Sequence, residues 1–256
     1  MTTEANPTPL LTITPLKPSE IPPEEQIITE GKLLIESSES WKAGKTFFDV
    51  VKTSSRGKLA GDGAPWHCRF SVHKPDEITF DQLWDKLSHN KAENELQFIH
   101  EIQKVNKIRE LSPTASIWTL YYTFLPPVSP RVFTVVQVIH LSEEKPRTGY
   151  VPLIVPNRTI LIPTVPPRLI VSLSVDLTSK GDEELRLLEE KGTKGRYVSV
   201  ERVMELEDGS TEWRMATSST PGGSIPSFLV ESTMAKKIAS DVPQFIKWFQ
   251  KSTSKK

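Results

Sequence analysis

The sequence has one cysteine in 256 residues, Cys68, and no net formal charge, with 32 basic side chains against 32 acidic ones. A lone cysteine excludes an intramolecular disulfide framework and fits a reducing compartment. Balanced charge excludes the basic surface by which a general nucleic-acid binder releases counterions. No stretch approaches twenty uninterrupted apolar residues, so no membrane span is expected. The first residues lack the basic segment and continuous apolar run of a signal peptide, and a cytoplasmic location is expected. His67, His73, His89, His100 and His140 show no metal-ligand spacing, so neither a metal nor another cofactor is expected. Gly61-Asp62-Gly63 and Pro221-Gly222-Gly223 stand outside the strand–loop–helix setting of a phosphate loop and lack its Lys-Ser/Thr. Cys68 lies between His67 and Arg69 in a strand pattern, where neighbours take opposite faces, a poor placement for nucleophile and base.

Proline, in contrast, is plentiful, and it concentrates in an apolar segment, GYVPLIVPNRTILIPTVPPRLIV (149–171). Prolines block helix and central-strand pairing there, and a polar Asn-Arg-Thr turn divides two greasy halves. Either this hairpin-like loop packs over the core as an edge strand, or it is an apolar surface with a partner. Around it the chain divides clearly. Residues 1–24, rich in Pro, Thr and Glu, read as a disordered lead-in, and 25–252 as one folded domain. EEQIITEGKLLIESSESW (24–41) predicts a short amphipathic helix, and KTFFDVVKTS (45–54) and PWHCRFSVHK (65–74) predict two antiparallel strands. Thr79 and Gln82 stand in capping-box spacing, opening a helical pair that carries Leu83, Trp84, Leu87, Leu96, Ile99, Ile102 and Ile108 and breaks near Ser88–Asn90. Five further strands follow, with Asp208–Gly209 as a hairpin turn between the last two. A long C-terminal helix ends the chain, with Pro243 expected to kink or restart it and Ser240 or Asp241 as local cap. The economical arrangement is α+β: a bent antiparallel sheet with one long helix across it.

STPGGSIPSFLVES (219–232) resembles the stretch leading into the last helix of START lipid-transfer domains, and SPRVF (129–133) resembles the strand opening of the same family. WHCRFSVH (66–73), ITFDQLW (78–84) and ENELQFI (93–99) are similar to a fungal START-like family of unassigned function. The likeness spans about residues 40–250. It implies a helix-grip fold of the START and Bet v 1 kind, a curved antiparallel sheet gripping the C-terminal helix around a hydrophobic cavity for one lipid. Two positions depart from the pattern: Val132 stands where the strand motif has Asp, and Gln137 where sterol-binding members carry a cavity arginine. That argues against a buried ion pair at this place.

Strand alternation then nominates lining residues. Phe133, Val135, Gln137, Ile139 and Leu141 share a face on which Gln137 alone can hydrogen-bond. Val198, Val200, Arg202, Met204 and Leu206 share another, with Arg202 as its single charge; a buried guanidinium needs a carboxylate or a lipid head. Trp118 and Tyr122 share a third face, Trp213 and Met215 a fourth, and Ile225, Phe228 and Leu229 open the apolar side of the last helix. Ordinary core packing accounts equally for such stripes, but a buried Tyr122 phenol would suit a sterol hydroxyl. The expected function is non-enzymatic lipid binding and transfer by a monomer, with sterol favoured over phospholipid or other apolar lipids. Tyr150, Val151, Leu153, Ile154, Val155, Ile160, Leu161 and Ile162 are the expected gate, touching membrane surfaces transiently. The alternatives are an enzyme in the same cavity, a hydrolase or cyclase, which would need a cluster of titratable groups inside it, or a lipid-regulated protein-interaction module.

Overall fold

In a computed structural model of the chain, Glu24–Ser37 forms helix α1, on which Ile27, Ile28, Gly31 and Ile35 recur at helical spacing and are all buried. The structure describes residues 9–124, 128–140, 150–155, 158–163, 168–223, 225 and 227–253. Thr79 caps α2 (Phe80–Ser88) through the expected reciprocal box: its hydroxyl accepts from the Gln82 N–H and the Gln82 side chain accepts from the Thr79 N–H. Asn90, in the left-handed region, turns the chain into α3 (Lys91–Phe98). A short α4 (Glu183–Arg186) and the long α5 (Ser227–Thr253) complete the α-helices among the described residues.

The strands are β1 (Lys42–Phe47), β2 (Val51–Arg56), β3 (Trp66–His73), β4 (Ile102–Ser112), β5 (Ala115–Tyr122) and β6 (Arg131–His140), then β7 (Tyr150–Val155) and β8 (Arg158–Pro163). They continue as β9 (Arg168–Ser174), β10 (Thr193–Lys194), β11 (Arg196–Glu205) and β12 (Thr211–Thr220). The main sheet runs β1-β2-β3-β12-β11-β9-β6-β5-β4, with β10 beside the start of β6. Apart from that short parallel contact its pairings are antiparallel.

Four readings of the sequence change. KTFFDVVKTS is two strands, because Phe48 and Asp49 both take positive φ and reverse the chain in a tight turn between Phe47 and Val51. Ile102 and Ile108 lie on β4 and not on a helix: a spacing of six residues is even and fits a strand as well. Register shifts along β4 let Ile102 join the inner core and Ile108 the outer one. The lead-in is packed from residue 9 onward; Leu11 is buried and Leu16 pairs with Val175. Finally, α5 runs unbroken through Pro243, and Ser240 bonds back to the Lys237 carbonyl within the helix. Packing carries it past the lost hydrogen bond, since Val242, Phe245, Ile246 and Phe249 are buried around the proline.

The sheet is covered on both faces. Trp118, Leu120, Val135, Ile170, Val203 and Trp213 pack inward against α2, α3 and α5. Trp66, Cys68, Ile117, Val136, Val171, Val198 and Val200 pack outward against α1 and the N-terminal segment. Gly31 is the point of closest approach there: a Cβ on it would stand 2.7 Å from Val171 Cγ2. Gly31→Leu is therefore expected to lower the unfolding free energy by about 1–3 kcal/mol in urea denaturation. An unchanged midpoint would contradict this seating of α1.

Candidate functional site

Which side chains face α5 follows from the two covered faces. On β11, Val198 and Val200 belong to the outer core, so Arg202 and Met204 lie on the α1 side and Tyr197, Ser199, Glu201 and Val203 turn inward. The expectation that Arg202 and Met204 line the interior is thus corrected. Arg202 donates to Glu212 at 2.7 Å and Glu39 at 3.0 Å, an ion pair on the outer face. Alternation separates the two faces of a strand but does not say which is inside, and here both are buried.

The inward phase brings charge with it. Arg69 and Glu201 flank Met215 across β3, β12 and β11. Glu201 is 4% exposed and accepts from three donors: Lys91 Nζ at 2.7 Å, Trp213 Nε1 at 2.7 Å and Arg69 Nη2 at 3.3 Å. Lys91, on α3, also reaches Glu95 at 2.7 Å, and the Arg69 guanidinium stacks 4.2 Å from the Trp213 ring. Burial by itself would raise the Glu201 pKa, but Lys91 and Arg69 outweigh it and hold the carboxyl below its ordinary value. For Glu95 burial wins over Lys91, and its pKa is raised. Asp241 on α5 faces the same cluster. Burial pushes it up to about 7; Arg69 and Lys237 pull against that, and Glu95 and Glu201 add to it.

Beside the charges lies an aromatic corner. Phe133 stands edge-on to Tyr122, with centroids 5.2 Å apart at 76°, and is tilted 58° from Tyr197 at 5.7 Å. Gly195 holds Phe133 in place with bare backbone, since a Cβ there would fall 2.3 Å from the ring. Burial raises the pKa of both phenols; the charges of Glu95 and Asp241 also act on Tyr122. These deep rings nevertheless keep partial exposure, as do the inward Ile139, Ser199 and Met215. Side chains that are deep in the protein yet still exposed border a space between sheet and helix. Gln137 faces it, 3% exposed, with Nε2 unpartnered.

Of the residues nominated from sequence, Tyr122, Phe133, Gln137, Trp213 and Met215 therefore meet on the inner face, and Trp118 joins them with the Lys107 ammonium over its ring. Ile225 lines a separate cleft of about 410 Å³ beside α5, with His67, Ser219, Glu231 and Met234. The side chains of Phe228 and Leu229 lie outside the described residues. The gate segment forms a hairpin, Leu153 opposite Ile160 and Val151 opposite Ile162, and is not part of the main sheet among the described residues. Tyr150, Ile154, Val155 and Leu161 complete the pairing. At its base the Arg168 guanidinium lies 5.0 Å from the Phe80 ring and 5.4 Å from that of Trp84 on α2. His73 is tied between Ser71 and Glu77. Sequence reasoning missed Arg69, Lys91, Glu95 and Asp241. A signal existed for Asp241, which falls on the buried stripe of Ile238, Val242 and Phe245.

Residues 66–249 match the model of a family described as a protein of unknown function, DUF3074. No curated protein matches the chain. Among solved structures, human StAR-related lipid transfer protein 5 superposes with a TM-score of 0.64 at 12% identity, covering 90% of this chain and 96% of that one. Human STARD10 gives 0.65 at 11%, covering 91% and 82%. A STAR-related lipid transfer protein from Xanthomonas axonopodis gives 0.59 at 14%, covering 82% and 98%. At these identities the likeness establishes the fold, the START helix grip. No helix is long and apolar enough to cross a membrane among the described residues.

Asp241 sets a pH signature. In the fold it keeps its proton to about pH 7, whereas unfolded it ionises near its ordinary 3.8. The folded state thus binds the extra proton between those values, and stability falls as pH rises through that window. Asp241→Asn is expected to flatten this slope and to exceed the natural protein by roughly 2–4 kcal/mol at pH 8, with no difference near pH 3. Parallel pH dependences for the two proteins would refute the assignment.

Proposed function

Since the chain belongs to the DUF3074 family, whose description assigns no function, and folds as a START helix grip, we propose that it binds one lipid between the sheet and α5 and carries it between membranes without chemical change. The observation that carries this reading is the partial exposure of Tyr122, Phe133, Tyr197 and Met215 deep under α5, a space bordered by rings and aliphatic groups. The solved relatives are named for lipid transfer. A ligand of sterol size burying on the order of 500 Å² gains at most about 12 kcal/mol before binding costs. A sterol hydroxyl would suit Tyr122.

The β7–β8 hairpin supports exchange at a bilayer. Its residues are apolar on both strands, and each fully buried side chain adds roughly 1.5–3 kcal/mol, enough for brief contact from three or four of them. The single cysteine, a buried free thiol, fits the cytoplasm. A second reading, an enzyme in the same space, is favoured by one observation: titratable Glu95, Asp241 and Tyr122 stand together inside it.

Native mass spectrometry of the purified chain, with extraction and identification of what it holds, tests both readings. One intact lipid per chain is the expected result. A converted product after incubation with that lipid would favour the enzyme, and a chain that holds and takes up no lipid would refute the carrier. For the hairpin, the double variant Leu153→Asp, Ile154→Asp is expected to lose liposome pelleting and keep its melting temperature. Unchanged pelleting would exclude the hairpin as the membrane contact.

A further inference from the structure

The N-terminal segment Pro9–Leu16 crosses one end of the sheet on its outer side. It first meets the β2–β3 connector, where Gly61 and Gly63 both take positive φ. A Cβ on them would stand 2.8 Å from the Pro9 ring and 2.4 Å from Ile13 Cγ1. Asp62, between the two glycines, stiffens this seat: it accepts from Arg56 Nη1 at 2.6 Å, the Leu59 N–H at 2.7 Å and Trp66 Nε1 at 3.2 Å. The last contact is at the end of β9. There the Leu16 N–H donates to the Ser174 carbonyl at 2.9 Å, and the Asp176 N–H to the Leu16 carbonyl at 2.8 Å. Between β3 and β9 lie β12 and β11, so the crossing covers three strand spacings, about 14 Å. An extended chain from residue 9 to residue 16 reaches up to about 25 Å.

These strand ends border the space under α5. Tyr197, one of the partly exposed deep rings, stands near the start of β11 and pairs with Ser219 near the end of β12. Ile13 also walls the cleft of about 410 Å³ that it shares with Ile225, Glu231 and Met234 at the approach to α5 and on its first turns. Yet the segment is lightly held. Among the described residues its hydrogen bonds to the rest of the chain are the two at Leu16, while Thr12 and Thr14 bond within the segment. The remaining hold is apolar: Leu11 is buried, and Leu10, Ile13 and Leu16 pack against the outer core. Lifting it breaks no ladder of the main sheet and no turn of α5, so it opens at a cost well below that of global unfolding. The segment and its seat on Gly61 and Gly63 precede residues 66–249, the part of the chain that matches the family model.

We propose that Pro9–Leu16 is a releasable strap that sets the rate of lipid exchange. Seated, it ties the β2–β3 connector to the end of β9 and holds this end of the grip closed. Lifted, it frees both connectors to move away from α5 and lets the lipid pass. The pivot is Lys17, whose pairing with Glu20 at 2.9 Å fixes the next turn of chain, Pro18–Glu20. This rests on the lipid-carrier reading and adds to it the step that limits exchange.

The test locks the strap to its seat. A Cβ on Gly63 would lie 3.9 Å from Ile13 Cβ, within the disulfide range of about 3.5–4.5 Å, and the natural Cys68 is buried. The full-length double variant Ile13→Cys, Gly63→Cys is compared oxidised and after dithiothreitol, so that strain at position 63 is common to both forms. The probes are dehydroergosterol and a fluorescently labelled phosphatidylcholine, moved between vesicles of dioleoyl phosphatidylcholine. The reduced form is expected to transfer at least one probe about tenfold faster than the oxidised form, and Leu11→Asp to exceed the natural chain about threefold. By hydrogen exchange of the natural chain, the Leu16 and Asp176 amides are expected to exchange at least about a hundredfold faster than that of Val200 in mid-sheet. Equal transfer by the two forms, no gain in Leu11→Asp, or a Leu16 amide as slow as that of Val200 would overturn the strap while leaving the carrier reading intact. A disulfide that does not form would overturn the seating of Ile13 on Gly63, and the strap with it. Transfer of neither probe by any form would overturn the carrier reading and the strap's part in exchange.

Discussion

Glu201 accepts three hydrogen bonds in a place that water barely reaches, and the interior is organised around it. Its donors come from Arg69 on β3, Trp213 on β12 and Lys91 on α3, so one carboxylate ties three strands' worth of sheet to the helical pair that closes its end. Such a group is costly to bury and costly to disturb. Removing one partner of a buried charge pair typically costs about 3–5 kcal/mol, because the other is left uncompensated. The arrangement is therefore better understood as fixing positions than as adding net stability. It holds the Arg69 guanidinium over the Trp213 ring, and Trp213 in turn packs against Phe245 of α5 at 5.1 Å. The gripping helix is thus registered on the sheet through an aromatic contact whose other side is charged.

Once Glu201 has taken the cations, the remaining acids decide the character of the space. Glu95 shares Lys91, and Asp241 has nothing left to pair with among the described residues. Its position on α5 places the unmet acid on the helix that the sheet grips. Folding and protonation then act on one side chain. The same logic accounts for α5 running through Pro243. Phe245, Ile246 and Phe249 are packed beyond the proline, and breaking the helix there would release them together with the groups that face the interior.

Much of this was legible in the sequence, and the failures have physical reasons. The helix-grip order, the capping box at Thr79 and the hairpin at Asp208–Gly209 follow from periodicity and turn chemistry. The phase of β6 that carries Phe133 and Gln137 was nominated and does face inward, although Val136 and Val138 make its other phase as apolar. On β11 the same rule misled: Val198 and Val200 form an apolar phase that faces α1, so the phase of Arg202 was placed inside and not that of Glu201. A sheet buried on both sides has no polar phase to mark its exterior. Asp241 was read as a cap because acids near a proline commonly serve that role. Its place on the stripe of Ile238, Val242 and Phe245 was the signal against that reading. Lys91 and Glu95 stand four residues apart, a spacing shared with solvent-exposed pairs, and nothing local distinguishes the buried case.

The central claim, that the interior ends in a charged wall with one acid too many, is tested most directly by carbon-detected NMR titration of the Asp241 side-chain carboxyl in the lipid-free chain. A midpoint near 7 is the result this account requires. A midpoint near the ordinary 3.8 would mean that Asp241 is solvated or fully paired, and would contradict it.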